Sequence, residues 1–293
     1  MDATRATQPA ASPRPVSASL TDWIGTVMRY RAEHPDTARI LHVLERLLDR
    51  PVRMSVVIHG EPGTGKEGLA RALHRAMHTD PAAPFVKVHG APRDPTALLR
   101  ELFADGSAAV AGADGGTLYV EGIEAVPPEV QARLSRALRG ALVLESEPPR
   151  PVDVCVIAAT ERPLLPLVRR GIFSHELYHR LARLELRIAP LRERPADLGP
   201  AAVWVANRLL QRHGIAKQAV LEGEANADDL CIERSALEAL AQHDWPGNFR
   251  ELDAVLERAL FLVSNGCRVT GDDVREALAM RVEGVELDDE AFD

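Results

Sequence analysis

A glycine-rich segment that ends in a lysine is the part of this sequence whose residue types and spacing most directly indicate chemistry. It fits the pattern G-x-x-x-x-G-K. Glycines let backbone N–H groups turn toward a phosphate, and a lysine at this spacing reaches the β and γ oxygens. We therefore predict that the chain binds ATP or ADP through this loop, which consists of Gly60, Glu61, Pro62, Gly63, Thr64, Gly65, Lys66 and the following Glu67.

Such a loop requires a strand before it and a helix after it. Residues 54–59 (MSVVIH) form a short β-branched run that predicts a buried strand, and residues 65–78 have helical spacing. A second strand is predicted at 85–88. Strand, helix and strand at these intervals indicate a parallel α/β sheet.

This alternation continues to about Pro195 and then stops. Before that point we predict helices at 37–49, 96–103 and 129–138 and strands at 117–120 and 152–158; after it, helices at 201–213, 235–243, 248–264 and 272–279. The expected organisation is a disordered leader (1–19), an α/β nucleotide-binding domain (20–195), a helical domain (196–280) and an acidic tail (281–293).

Charge and composition exclude several classes of protein. The formal net charge is −8, of which six negative charges lie between Glu283 and Asp293, so the body is nearly neutral and does not suggest nucleic-acid binding by bulk charge. Three separated cysteines indicate neither a disulfide framework nor a thiolate zinc site. No apolar run long enough for a membrane span and no secretory signal is present, so we expect a cytoplasmic protein.

Seven motifs in order resemble the central AAA+ domain of bacterial enhancer-binding proteins, the activators of sigma-54 RNA polymerase. They are GEPGTGKE, PFVKVHGAP, LLRELF, DGGTLYV, VIAAT, IAPLRER and WPGNFREL, and together they span about residues 36–280. The resemblance implies a P-loop AAA+ fold, in which helices sandwich a parallel sheet and a small all-α lid domain follows. It also implies that Arg250, in WPGNFREL, approaches the γ-phosphate from the lid.

The chain departs from the family at the end of the strand TLYV. Where the family has Asp-Glu, for magnesium and for polarising the attacking water, this chain has Glu121 and Gly122. Glu121 is the candidate for a degenerate catalytic acid that holds Mg²⁺ through a water molecule, but glycine cannot act as a base. Losing a positioned base typically costs about 10²- to 10⁴-fold in rate. Glu124 has the right parity to substitute but lies beyond the strand.

Three further departures follow. The family's sensor asparagine is Glu161, which would bring negative charge toward the γ-phosphate, and the first of two family arginines is Ser174, so that only Arg180 remains as a possible arginine finger. Between Phe103 and Gly115 only eleven residues remain, without the G-A-F-T-G-A sequence that contacts sigma-54. Direct remodelling of sigma-54 polymerase is therefore not expected.

A zinc site is a competing interpretation of one segment. His175, Glu176 and His179 match H-E-x-x-H, which would indicate a zinc hydrolase if a third ligand followed. The same residues also fit the family's arginine-finger segment. A second pair, His74 and His78, has the same spacing and is expected on a solvated helix face.

Two functional hypotheses remain open at this stage. In the favoured one, the chain is a nucleotide-binding pseudo-ATPase that regulates transcription through protein partners, among them related AAA+ subunits in a ring. In the alternative, it is an active ATPase of sigma-54-dependent transcription, rescued by Glu121 or by a partner subunit. We expect no direct DNA binding, because the fourteen residues after Ala279, six of which are acidic, do not suit a basic helix-turn-helix.

Overall fold

Five parallel strands in the first two thirds of the chain form a sheet, in the order Phe85–His89, Thr117–Glu121, Cys155–Thr160, Val56–His59 and Leu184–Arg187. The structure is a computed structural model that describes residues 34–280, except 92–93, 104–107, 139–142, 145–149, 227 and 264–266. The predicted leader and acidic tail lie outside the described residues.

The elements of this first part alternate as expected from the sequence. In chain order they are α1 (Pro35–Asp49), β1 (Val56–His59), α2 (Lys66–Met77), β2 (Phe85–His89), α3 (Pro95–Phe103), α4 (Ala109–Gly112), β3 (Thr117–Glu121), α5 (Pro128–Arg136), β4 (Val143–Leu144), β5 (Arg150–Pro151), β6 (Cys155–Thr160), α6 (Leu164–Arg169), α7 (His175–Leu181) and β7 (Leu184–Arg187). A 3₁₀ turn at Ile123–Ala125 follows β3, and β4 pairs with β5 as a separate antiparallel hairpin.

Alternate residues of the strands build two apolar layers. Val56 and Ile58 of β1 pack with α1 and α2 on one face, whereas Val57 packs on the other face with residues of α3, α5 and α7. Because both faces of the central strands are covered, β1 and β6 read as continuous apolar runs. This arrangement confirms the predicted parallel sheet between helices, and it adds β7, which was not predicted.

The second part consists of four helices and a small sheet. Its elements are α8 (Leu198–Arg212), β8 (Ala219–Leu221), β9 (Leu230–Ile232), α9 (Arg234–Ala241), α10 (Asn248–Leu262), β10 (Arg268–Val269) and α11 (Gly271–Ala279). The helices were predicted, but the part is not purely helical, because β8, β9 and β10 form a three-stranded parallel sheet. Strands of two or three residues are too short to show a period-two pattern in the sequence.

A continuous apolar core joins these helices to the sheet β8–β10, with Trp245 at 1% exposure among its largest members. The Trp245 indole donates a hydrogen bond to the Leu240 carbonyl at 2.8 Å. This anchors the loop that leads into α10. No helix among the described residues is long and apolar enough to cross a membrane.

Candidate nucleotide-binding site

The loop between β1 and α2 has the backbone geometry that a phosphate cradle requires. Gly63 and Gly65 have φ angles of 73° and 96°, a conformation that residues with a Cβ rarely adopt. A Cβ on Gly63 would lie 2.2 Å from the Gly247 carbonyl oxygen. The loop ends on the first turn of a helix of 12 residues, whose N–H groups and dipole attract anions. The cradle therefore fits the phosphates of a nucleotide.

Lys66 is almost completely buried at the end of this loop, with 6% exposure. Its ammonium donates to the carbonyls of Gly60 and Glu61 at 2.8 and 2.9 Å. Burial lowers the pKa of Lys66, and the carboxylates of Glu161, Glu121 and Glu124 act in the opposite direction. The ammonium is thus held inside the loop, with acidic groups around it.

The second part of the chain packs directly on the loop through the segment WPGNFR. The Phe249 N–H donates to the Gly63 carbonyl at 2.9 Å. Asn248 is fully buried, donates to the Pro62 carbonyl at 3.0 Å and accepts from the Leu191 N–H at 2.9 Å. One side chain therefore ties α10 to both the phosphate loop and the segment that follows β7.

Two features of this contact were missed by the sequence analysis. Asn248 has a φ angle of 50°, which asparagine tolerates better than most residues, and a Gly-Asn pair is the sequence signal for such a turn. Glu61 also forms a salt bridge with Arg192, including a hydrogen bond of 2.8 Å from Nη1 to Oε2.

Arg250 lies on the first turn of α10 with an exposed side chain, and its charge lowers the pKa of nearby Lys66.

The end of β3 is organised differently. The Glu121 carboxylate pairs with the Lys87 ammonium at 2.8 Å, and Lys87 also pairs with Glu67 at 2.7 Å. His89 Nδ1 lies 3.3 Å from the same Glu121 oxygen. Although burial opposes it, the hydrogen bonds with Glu121 and Glu67 raise the pKa of Lys87. The Lys87 ammonium therefore bridges the carboxylates of Glu67 and Glu121.

This bridge does not fit the expected magnesium site. The hydroxyl residue that usually follows the loop lysine and binds Mg²⁺ is Glu67, and the carboxylate predicted to hold Mg²⁺ through water, Glu121, is engaged by Lys87. The protein side therefore offers Mg²⁺ no free ligand at these two positions, and a magnesium ion would depend on the nucleotide phosphates.

Gly122 differs from a catalytic glutamate in backbone conformation as well as in side chain. Its φ and ψ angles are 71° and 43°, in the left-handed region. A Cβ would meet no atom within 4 Å, so the restriction on this position is conformational and not steric.

Glu124 and Glu161 meet next to this position. The Glu161 N–H donates to Glu124 Oε1 at 2.9 Å, while Glu124 Oε2 is buried with no hydrogen-bond partner among the described residues. Glu161 Oε1 lies 3.8 Å from the Lys66 ammonium. The predicted negative charge of Glu161 is therefore directed at the loop lysine itself.

Arg180 lies away from the loop of its own chain. It pairs with Glu176 at 3.0 Å and lines a surface pocket of about 510 Å³ together with Arg53 and Asp153, which precede β1 and β6. The phosphate loop follows the opposite, carboxyl end of β1. Ser174, at the position of the other family arginine, accepts a hydrogen bond from the Leu177 N–H and caps α7.

The two histidine pairs do not form a metal centre. The Nε2 atoms of His175 and His179 lie 3.0 Å apart on the exposed face of α7, and Glu176 is engaged by Arg180. Across the described residues, no three His, Cys, Asp or Glu side chains are grouped to hold a metal. The His74–His78 pair is not on a solvated face, as had been expected: both rings contact the Thr117 hydroxyl, at 2.9 and 3.0 Å, and His74 is buried.

The region before β3 contains a short helix where the family carries its sigma-54-contacting insertion. Residues of α4 and its flanks, including Val110 and Ala113, are buried against the sheet. Only four residues separate Phe103 from Ala108, so the segment that is described packs inward and does not project.

These features define a P-loop protein of the AAA+ class, and comparisons with known proteins specify the family. The profile described as "Sigma-54 interaction domain" matches residues 31–187, more than half of the chain, and the "AAA+ ATPase lid domain" matches residues 208–288. The chain belongs to the sigma-54 interaction domain family.

Curated relatives are regulators of transcription or metabolism. The acetoin catabolism regulatory protein of Cupriavidus necator is 38% identical over 75% of this chain and 32% of its own length. The Nif-specific regulatory protein of Azospirillum brasilense is 35% identical over 84% of this chain and 38% of its own length. The chain thus spans about a third of the length of these relatives.

Among solved structures, NtrX from Brucella abortus in complex with ATP superposes with a TM-score of 0.69 at 26% identity, covering 88% of this chain and 57% of that one. The same protein in complex with ADP gives a TM-score of 0.67 at 27% identity, covering 82% and 53%. Nucleotides are therefore bound by related proteins of this fold.

Proposed function

We propose that this protein binds ATP or ADP, hydrolyses ATP weakly or not at all, and regulates transcription in the cytoplasm by assembling with protein partners. Its relatives are transcription regulators, which supports a role in the regulation of transcription. The phosphate loop retains its glycines and Lys66, and the contacts of Asn248 and Phe249 close it from the lid side.

The observation that carries the proposal is the contrast between this loop and Gly122. A glycine with a φ angle of 71° stands where a base would polarise water, so both the functional group and the backbone that would aim it are absent from that position. Binding needs the loop and lysine, whereas hydrolysis needs an aimed base as well.

Turnover and binding assays on the full chain test this directly. We expect the wild type to bind nucleotide with phosphate release close to background, and Lys66→Ala to weaken binding at least about tenfold through loss of a charge-assisted contact. Lys217→Ala, which removes a lysine that contacts Cys267 far from the loop, is the matched control. Robust hydrolysis that disappears in Lys66→Ala would refute the pseudo-ATPase proposal.

The active-ATPase alternative draws on one specific observation. Glu124 lies two residues after Gly122, and its Oε2 atom has no hydrogen-bond partner among the described residues. Its negative charge also acts on Lys66. If turnover is found, Glu124→Gln should abolish it while leaving nucleotide affinity nearly unchanged. Persistence of turnover in that variant would remove Glu124 from the alternative.

Assembly is the second element of the proposal. Arg180 lies by the amino ends of β1 and β6, so it serves a nucleotide only if that nucleotide belongs to another subunit. Light scattering with and without nucleotide, alone and with a related AAA+ activator, tests this. We expect a nucleotide-dependent increase in mass that Arg180→Ala reduces; a monomer under all conditions would contradict assembly.

The inward-packed segment around α4 restricts the choice of partner. Because the part of this segment that the structure describes packs inward against the sheet, we propose that the protein acts on other regulators and does not itself remodel sigma-54 polymerase.

A further inference from the structure

Acidic side chains from three different segments converge on the tip of Lys66. Glu161 follows β6, Glu121 ends β3 and Glu124 lies in the 3₁₀ turn beyond it. Burial lowers the pKa of Lys66, and the charges of these three carboxylates act in the opposite direction, with Glu161 the strongest of them. The charge of Arg250 acts against these carboxylates at this lysine.

Glu161 differs from Glu121 in how its charge is balanced. Glu121 is paired with Lys87 at 2.8 Å and lies beside His89. The ion pair that Glu161 forms within the described part of the chain is with Lys66 itself, at 3.8 Å. The carboxylate of Glu161 therefore interacts with the same ammonium that a bound phosphate needs.

The backbone around Glu161 is fixed by its neighbours. Its own N–H donates to Glu124, and the preceding Thr160 is fully buried with its hydroxyl donating to the Arg162 carbonyl at 2.6 Å. The loop after β6 therefore keeps the root of the Glu161 side chain next to Lys66, and only the outer atoms of that side chain are free to move.

These contacts bear differently on the two forms of a nucleotide. The loop N–H groups and the helix dipole surround the β-phosphate, whereas the γ-phosphate extends toward the end of the lysine. A triphosphate must compete with Glu161 for the Lys66 ammonium and brings an additional negative charge next to a carboxylate. A diphosphate reaches this lysine through its β-phosphate alone and brings no γ-phosphate charge next to Glu161, so it competes less with the ion pair.

Building on the nucleotide binding proposed above, we infer that Glu161 makes this site selective for nucleoside diphosphates over nucleoside triphosphates. The ion pair between Glu161 and Lys66 substitutes for part of the contact that a γ-phosphate would make. The related NtrX has been observed with both ADP and ATP, so such selectivity would distinguish this chain from that relative.

Calorimetric titration of the full chain with ADP and with ATP, each in the presence of Mg²⁺, measures the ratio of the two dissociation constants. We expect the wild type to bind ADP about tenfold more tightly than ATP, which corresponds to about 1.4 kcal/mol. Glu161→Gln keeps the shape and removes the charge, and it should strengthen ATP binding about five- to tenfold while ADP binding changes less than about twofold. Glu161→Asn should also bring the dissociation constants for ATP and ADP closer together.

Glu257→Gln is a matched control for the loss of one negative charge. Glu257, on α10, is about half exposed, as Glu161 is, and its carboxylate lies 3.7 Å from the guanidinium of Arg212 at the end of α8. We expect this variant to keep the wild-type ratio. The inference would be overturned by equal affinities for ADP and ATP in the wild type, or by a ratio that neither Glu161 variant changes. Failure to bind either nucleotide would instead refute the proposed function itself.

Discussion

The phosphate loop and the end of β3 lie side by side, yet their contacts differ in kind. The loop is held from outside by backbone and amide hydrogen bonds with α10, and its lysine donates to its own carbonyls. The end of β3 is held by charge, through the bridge that Lys87 forms between Glu67 and Glu121. This difference supports our proposal that the site binds a nucleotide without the arrangement that hydrolysis needs.

Because of this difference, substitutions in the two regions should have different effects. Neutral hydrogen bonds at a buried amide are directional and leave unsatisfied groups when removed. A half-exposed network of charges can be rearranged by solvent or by a cation. We therefore expect substitutions at the loop contact to affect both stability and binding, and substitutions at β3 to affect mainly charge and metal response.

The largest effect is expected from Asn248→Ala. The change leaves the Pro62 carbonyl and the Leu191 N–H without partners and places alanine at a φ angle of 50°, so the free energy of unfolding should fall by about 2–4 kcal/mol. Nucleotide affinity should fall with it, because the loop loses its support from α10. Thermal unfolding and nucleotide titration measure the two effects.

Asn248→Gly separates strain from lost hydrogen bonds at this position. Glycine accepts the positive φ angle, so this variant should be more stable than Asn248→Ala by about 1 kcal/mol while losing the same hydrogen bonds. Unchanged nucleotide affinity in both variants would contradict the view that the lid contact supports the loop.

A smaller effect is expected from Lys87→Gln. Without the ammonium, Glu67 keeps its ion pair with Arg71 at 2.7 Å and Glu121 keeps His89 nearby, so we expect a loss of about 1–2 kcal/mol in the free energy of unfolding. Mg²⁺ should then stabilise the variant, because two carboxylates of one cleft become available to a divalent cation.

The wild type provides the comparison for this variant. Because Lys87 is paired with both carboxylates and Arg71 adds a second positive charge at Glu67, removing Mg²⁺ with a chelator should leave the unfolding temperature of the nucleotide-free wild type unchanged. Lys217→Gln serves as the control lysine. A Mg²⁺-dependent shift in wild type as large as that in Lys87→Gln would mean that Glu121 is available to metal after all.

The phosphate loop and the glycine at position 122 could be predicted from the sequence because each lies in one short segment. The glycine spacing and the residue that follows β3 can be read without any long-range contact. The tie from Asn248 to Pro62 could not be predicted, because it joins residues 186 positions apart. The same holds for the bridge from Glu67 to Lys87 and Glu121, which depends on the register of β2 against β3.

Gly122→Glu tests whether the missing base can be restored by one substitution. Glutamate in the left-handed conformation costs about 1–2 kcal/mol, so we expect this variant to be less stable than wild type and to gain no turnover. The left-handed backbone at this position would direct the glutamate side chain differently from the extended backbone of a strand.

Gly122→Asn is the matched control, because asparagine tolerates the left-handed region. It should be more stable than Gly122→Glu, and phosphate release should stay at background in both variants. Efficient turnover in Gly122→Glu would show that the backbone at this position rearranges at low cost, and that the side chain alone was missing.

The smallest effect concerns the other end of β3, where His74 contributes to the acid sensitivity of the protein. His74 is buried against Thr117, and burial lowers the pKa of His74 to about 4, with the positive charge of His78 contributing. The folded protein therefore keeps this imidazole neutral at a pH where the unfolded chain, with the ordinary value of 6.5, binds a proton. The stability present above pH 6.5 is lost as the pH falls toward 4, by about 1 kcal/mol at about pH 5.5.

Urea unfolding of wild type and His74→Gln between these pH values measures this loss of stability. The variant should lose part of the dependence of the free energy of unfolding on pH, and an identical dependence in both proteins would place the acid-sensitive group elsewhere.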